Sequence, residues 1–88
     1  MIQQTFTATL EKSPNKGGWT YVVWPESAKY FGTKGAVKVR AKADGVEFTS
    51  SFMAMGNDTQ MLPIKSEVRK IIGKVAGDSV TIELLERL

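Results

Sequence analysis

Along the first ten residues the even positions are apolar at Ile2, Phe6, Ala8 and Leu10, with Gln4 the one break. Period-two alternation of this kind predicts a half-buried strand. Ser13-Pro14-Asn15-Lys16-Gly17-Gly18 is dense in turn formers and ends it. Trp19 to Trp24 is aromatic and β-branched, a second strand stopped by Pro25. Glu26 to Phe31 suits a short helix, with Gly32 placed for a left-handed cap. The clearest signal follows. Val37, Val39, Ala41 and Ala43 alternate with Lys38, Arg40 and Lys42, and beyond Asp44-Gly45 the residues Val46, Phe48, Ser50 and Phe52 alternate with Glu47, Thr49 and Ser51. Asp-Gly is favoured in a two-residue type I′ hairpin turn, which pairs Ala43 with Val46, Lys42 with Glu47, Arg40 with Thr49 and Lys38 with Ser51. All the small and apolar side chains then share one face.

Gly56-Asn57-Asp58 predicts another turn, and Thr59 to Leu62 a short strand stopped by Pro63. Ser66 is placed as an N-cap for a helix carrying Val68, Ile71 and Ile72 and ending at Gly73. Gly77-Asp78 turns the chain into a last strand with Val80, Ile82 and Leu84 inward. Residues 21–41 and 59–85 share one grammar: strand, apolar residue, proline, short helix, glycine, turn, alternating strand. Trp24-Pro25 answers Leu62-Pro63, Phe31-Gly32 answers Ile72-Gly73, and Val37, Val39 and Ala41 answer Val80, Ile82 and Leu84. The expectation is a mainly β fold: one domain over residues 1–88, a six-stranded closed or double-split β-barrel with two short helices and an internal pseudo-twofold duplication.

The second half, LPIKSEVRKIIGKVAGDSVTIELL, resembles the proline–helix–glycine–strand unit of AbrB-like swapped-hairpin transcription factors and antitoxins. Those proteins pair two units from separate chains into one double-split barrel and bind DNA as dimers. Here both units lie in one chain, which implies a monomer equivalent to their dimer. Over nearly its full length the sequence more closely resembles the domain-of-unknown-function family numbered nineteen-oh-five. Phe6 and Ala8, Trp19, Pro25, Gly45 and Phe48 carry the likeness, with Met61-Leu62-Pro63, Val68-Arg69, Gly73-Lys74 and Gly77-Asp78. That resemblance implies the barrel and brings no established activity. Its members are often followed by a domain of the YdeI/OmpD-associated kind, which a chain ending at Leu88 is expected to lack.

Composition narrows the chemistry. The 88 residues include no histidine and no cysteine. A thiolate nucleophile, a disulfide, a soft-metal site and an imidazole base are therefore excluded. The 12 basic and 9 acidic side chains leave a net charge of +3. That charge is mild and spread along the chain, in keeping with solubility more than with anion binding. No start resembles a secretory signal, and no apolar stretch approaches the roughly 18 residues of a membrane span. A cytoplasmic, non-membrane protein is the expectation.

Few polar residues remain for catalysis. Ser50, Ser51 and Ser79 lie in strands without a base at a telling spacing, and Asp44, Glu47, Asp58, Glu67 and Asp78 show no paired-carboxylate pattern. Asn57 and Asp58 lack the acidic ladder of a calcium loop. No catalytic residue, metal ligand or cofactor is assigned. Three features could bind a partner. Lys38, Arg40 and Lys42 form a basic strand face, extended by Lys65, Arg69, Lys70 and Lys74 if it meets a phosphate backbone. Trp19, Tyr21, Trp24, Tyr30 and Phe31 form an aromatic segment, one set of which is either capped by Tyr30 and Phe31 or exposed to a ligand. Arg69 is placed to reach Asp78 or a main-chain carbonyl. The reading is a monomeric, non-enzymatic binding or interaction module for an unidentified small molecule or protein. Nucleic-acid binding through the basic face is the alternative, and an enzyme of unknown type comes third.

Overall fold

The computed structural model describes residues 4–13, 19–33, 35–54 and 59–88. The expected turns at Pro14–Gly18 and Gly56–Asp58, and Ile2 at the start of the first strand, lie outside the described residues. Strand β1 (Gln4–Thr9) leads through Leu10 into the two-residue β2 (Glu11–Lys12). β3 (Thr20–Val23), α1 (Ser27–Phe31), β4 (Val37–Ala43), β5 (Val46–Ala54), β6 (Gln60–Pro63), α2 (Ser66–Ile72) and β7 (Ser79–Arg87) follow.

Seven strands replace the expected six because the first one divides. The sheet runs β1-β7-β4-β5-β6-β3-β2, every neighbouring pair antiparallel. Its two ends are thus consecutive in the chain. β1 pairs with β7 from Gln4↔Leu84 to Thr9↔Ser79, whereas β2 pairs with β3 through Glu11↔Tyr21 and Lys12↔Thr20. Leu10 makes the bend. Its N–H donates to the Asp78 carbonyl at 2.8 Å, its carbonyl accepts from the Gly77 N–H at 2.8 Å, and its side chain is buried. β5 divides in the same way: residues 46–52 pair with β4, then Met53 and Ala54 pair with Met61 and Gln60 of β6. A strand that serves both ends of a sheet closes it, and the result is a nearly closed barrel.

The interior is what alternation predicts. Val37, Val39, Ala41 and Ala43 are buried with Phe48, Phe52, Val80, Ile82, Leu84, Val22 and Leu62. The hairpin register Lys42↔Glu47, Arg40↔Thr49, Lys38↔Ser51 is the expected one. Asp44 at φ 47° and Gly45 at φ 90° form its turn, both in the left-handed region that a type I′ turn requires. Gly32 and Gly73 end the two helices in left-handed conformation, each donating its N–H back into the last turn. One expected cap is corrected. Ser66 is the first helical residue of α2, and Lys65, extended at ψ 148°, stands at the N-cap without a capping side chain. No helix is long and apolar enough to cross a membrane among the described residues.

Candidate functional site

The basic face, the aromatic segment and Arg69 do not converge on one site. Lys38, Arg40 and Lys42 project outward from β4, where the strands on either side supply acids. Lys42 stands opposite Glu47 on β5 and Glu83 on β7, and Arg40 opposite Glu86. Glu47 pairs with Arg40, two residues along β4 from the Lys42 that stands opposite it. Arg40 Nε donates to Glu86 Oε1 at 2.9 Å, and its Nη1 lies 3.2 Å from Glu47 Oε1. The hydrogen bond to Glu86, and the charges of Glu86 and Glu47, raise the Arg40 pKa above its ordinary value despite some desolvation. Arg40 thus straps β5 to β7 across β4. Three cations set among three carboxylates offer a phosphate backbone no net positive strip.

The helix cations are dispersed too. Arg69 takes the carbonyl half of its expected choice, donating Nε–H to the Ile64 carbonyl at 3.1 Å. Asp78 accepts the Val75 N–H instead, at 2.9 Å. Lys74 reaches the Ser79 carbonyl and Asp44, both at 2.5 Å. Asp44, read from sequence as a turn residue alone, also accepts the Thr81 N–H at 2.9 Å. Hydrogen bonding from Lys74 and then from the Thr81 backbone lowers its pKa. Ser50 is likewise engaged, its hydroxyl donating to the Pro63 carbonyl at 2.8 Å. Among the described residues no cluster of three or more acidic side chains could hold a metal ion.

The two tryptophans part company. Trp19 is exposed at the entrance to β3, while Trp24, just past β3, turns inward and is 8% exposed. Trp24 is the hub of the molecule's aromatic packing. Phe6 of β1 stacks on it with centroids 5.0 Å apart and planes within 5°. Tyr30, Phe52 and Phe31 surround it at 5.4, 6.0 and 6.2 Å. The α1 aromatics thus cap the inward set, as one of the two sequence alternatives has it.

The cap is incomplete, and it leaves an open cleft beside it. A cleft of about 490 Å³ lies between α1 and β1, lined by Gln4, Trp24, Glu26, Lys29 and Tyr30. Tyr30 keeps 44% of its surface exposed there. None of the Gln4, Glu26 or Lys29 side chains makes a hydrogen bond or ion pair with another described residue. Ser27 Oγ of α1 and Gln60 Oε1 of β6 are buried without a partner among the described residues, although Gln60 Nε2 donates to the Gly35 carbonyl at 2.7 Å. Sequence reasoning found the aromatic members of this cleft and missed Gln4, Glu26 and Lys29. The available signal was Gln4 itself, a polar residue at an inward position of an otherwise apolar row.

A family model described as Domain of unknown function (DUF1905) matches residues 6–84. No curated protein matches the chain.

Proposed function

The chain belongs to the DUF1905 family, and we propose that it is a non-catalytic binding module whose ligand occupies the cleft between α1 and β1. One observation carries this reading: an aromatic wall and three unengaged polar side chains converge in a single concavity of ligand size. Three of the serines and carboxylates weighed for catalysis are engaged elsewhere. Ser50 is bonded to a main-chain carbonyl, Asp44 to Lys74 and Thr81, and Glu47 to Arg40. Duplex DNA binding is the reading that the charge around Lys38, Arg40 and Lys42 supports least. The test is amide and indole NMR during a screen of small polar aromatic and aliphatic fragments. Shifts grouped at Gln4, Trp24 and Tyr30 are expected. Shifts grouped at Trp19 or on β4, with none at the cleft, would overturn the proposal.

The frame of the cleft supports a duplicated, double-split barrel. Residues 4–43 and 46–87 each run strand, strand, helix, strand, with β1–β2 answering β5. Each copy's dividing strand pairs once within its own copy and once with the other: β2 with β3 and β1 with β7, β5 with β6 and with β4. The remaining strands pair with their counterparts, β3 with β6 and β4 with β7. When Trp24-Pro25 is laid on Leu62-Pro63, following the ladder registers round the barrel brings Val37, Val39 and Ala41 onto Val80, Ile82 and Leu84. The pairings thus reach the correspondence that the sequence suggested by a separate route. Sedimentation equilibrium should give the 9.7 kDa mass of one chain. A dimer that exchanges β1–β2 would contradict the single-chain reading.

A further inference from the structure

Resting on the cleft as the binding site, we infer that its ligand is a planar, uncharged nitrogen heteroaromatic of the nucleobase class. Three features of the lining lead there. The first is ring surface. Tyr30 presents an exposed ring, tilted 45° to the buried Trp24 that Phe6 stacks against, so the cleft offers one open aromatic face backed by packed rings. A flat aromatic ligand uses such a wall better than a branched aliphatic one. The second is charge. Glu26 and Lys29 stand one helical turn apart at the rim, one of each sign, so a net anion or cation gains from one and is opposed by the other. A neutral ligand meets no such conflict.

The third feature is the set of hydrogen-bonding groups. Gln4 carries both a donor and an acceptor, Glu26 only accepts and Lys29 only donates. Covering them with hydrocarbon would leave all three unanswered. The edge of a nucleobase, with amino group, ring nitrogen and carbonyl side by side, answers an amide two-handed and a carboxylate through its amino hydrogens. The related groove between α2 and β5 makes the contrast. It has Lys65, Glu67 and Ile71 at the helix, and its Glu47 is held by Arg40, so neither the exposed ring nor the free amide is present.

The experiment titrates the whole chain separately with adenine, sodium benzoate and cyclohexanol, following the Trp24 indole and Gln4 side-chain NMR signals. Adenine is expected to shift both and to bind more tightly than the other two. Tyr30→Leu, which keeps an apolar side chain but removes the ring, should weaken adenine about tenfold. Gln4→Ala should weaken adenine about fivefold while leaving cyclohexanol unchanged. Thermal melts of both variants check that they fold. If benzoate or cyclohexanol shifts the cleft signals and adenine does not, the ligand class is wrong and the cleft remains the site. If no probe shifts them, and the fragment screen also leaves the cleft silent, the cleft reading itself falls. Adenosine and a six-residue deoxyadenosine strand, compared at low and high salt, separate the two sources of a base. Equal, salt-independent binding points to a free nucleoside, and tighter, salt-sensitive binding points to a base within a strand.

Discussion

The barrel has two places where a strand divides between neighbours, and it closes them with different chemistry. Where β1 and β3 part, Phe6 stacks on Trp24 and the α1 aromatics pack around the pair. Where β5 and β6 part, the Ser50 hydroxyl bonds to the Pro63 carbonyl, and Val68 of α2 and Phe48 are both buried. The second gap keeps a smaller groove of about 350 Å³, between α2 and β5, whose lining has no exposed ring. Bulky rings hold the first gap apart and leave a concavity beside them. Equivalent positions in a topology therefore need not be equivalent sites; the side chains at each seam decide what its concavity offers.

Removing the hub should produce the largest effect. Trp24→Ala deletes a buried ring with four aromatic neighbours, and urea denaturation should show a loss of about 3–5 kcal/mol. On the other side of the comparison, Ser50→Ala removes a single hydrogen bond to a partly buried carbonyl. The same measurement should show about 1 kcal/mol. Comparable losses from the two variants would mean that the seams are closed alike after all.

Acid should probe a contact that lies outside both seams. The Asp44 pKa is lowered in the folded chain, so its stabilisation is complete above the unfolded value of about 3.9 and disappears as pH falls through the folded value. Asp44→Asn should therefore lower the melting temperature at pH 7, a loss of about 1 kcal/mol or less, and the difference should shrink as pH falls below about 3.9. The smallest effect belongs to Ile71, which is 68% exposed on the outside of α2. Ile71→Ala should change stability by less than about 0.5 kcal/mol and leave adenine binding untouched.

Most of the barrel was legible because its rules are local. Alternation over Val37–Ala43 and Asp-Gly at 44–45 state a hairpin within a dozen residues, and the observed register follows. The bend at Leu10 was not legible. It depends on two partners, β7 and β3, that lie far apart in sequence. Arg40 took the acid assigned to Lys42 because its guanidinium can span two flanking strands at once, a choice that pairing alone does not reveal. The site divided along the same line. Trp24 and Tyr30 are neighbours in sequence and were visible as an aromatic segment. Gln4 joins Glu26 and Lys29 only once the barrel closes.

That closure also sets a timetable for a chain emerging from the ribosome. Gln4 pairs with Leu84, so the first strand to appear waits for the last. At about 5–20 residues per second, β1 spends about 4–16 s without its partner. For that interval Phe6, Ala8 and Leu10 are a nascent strand with an open edge. The cleft beside β1 forms at the end of this sequence of events, so ligand competence waits for β7.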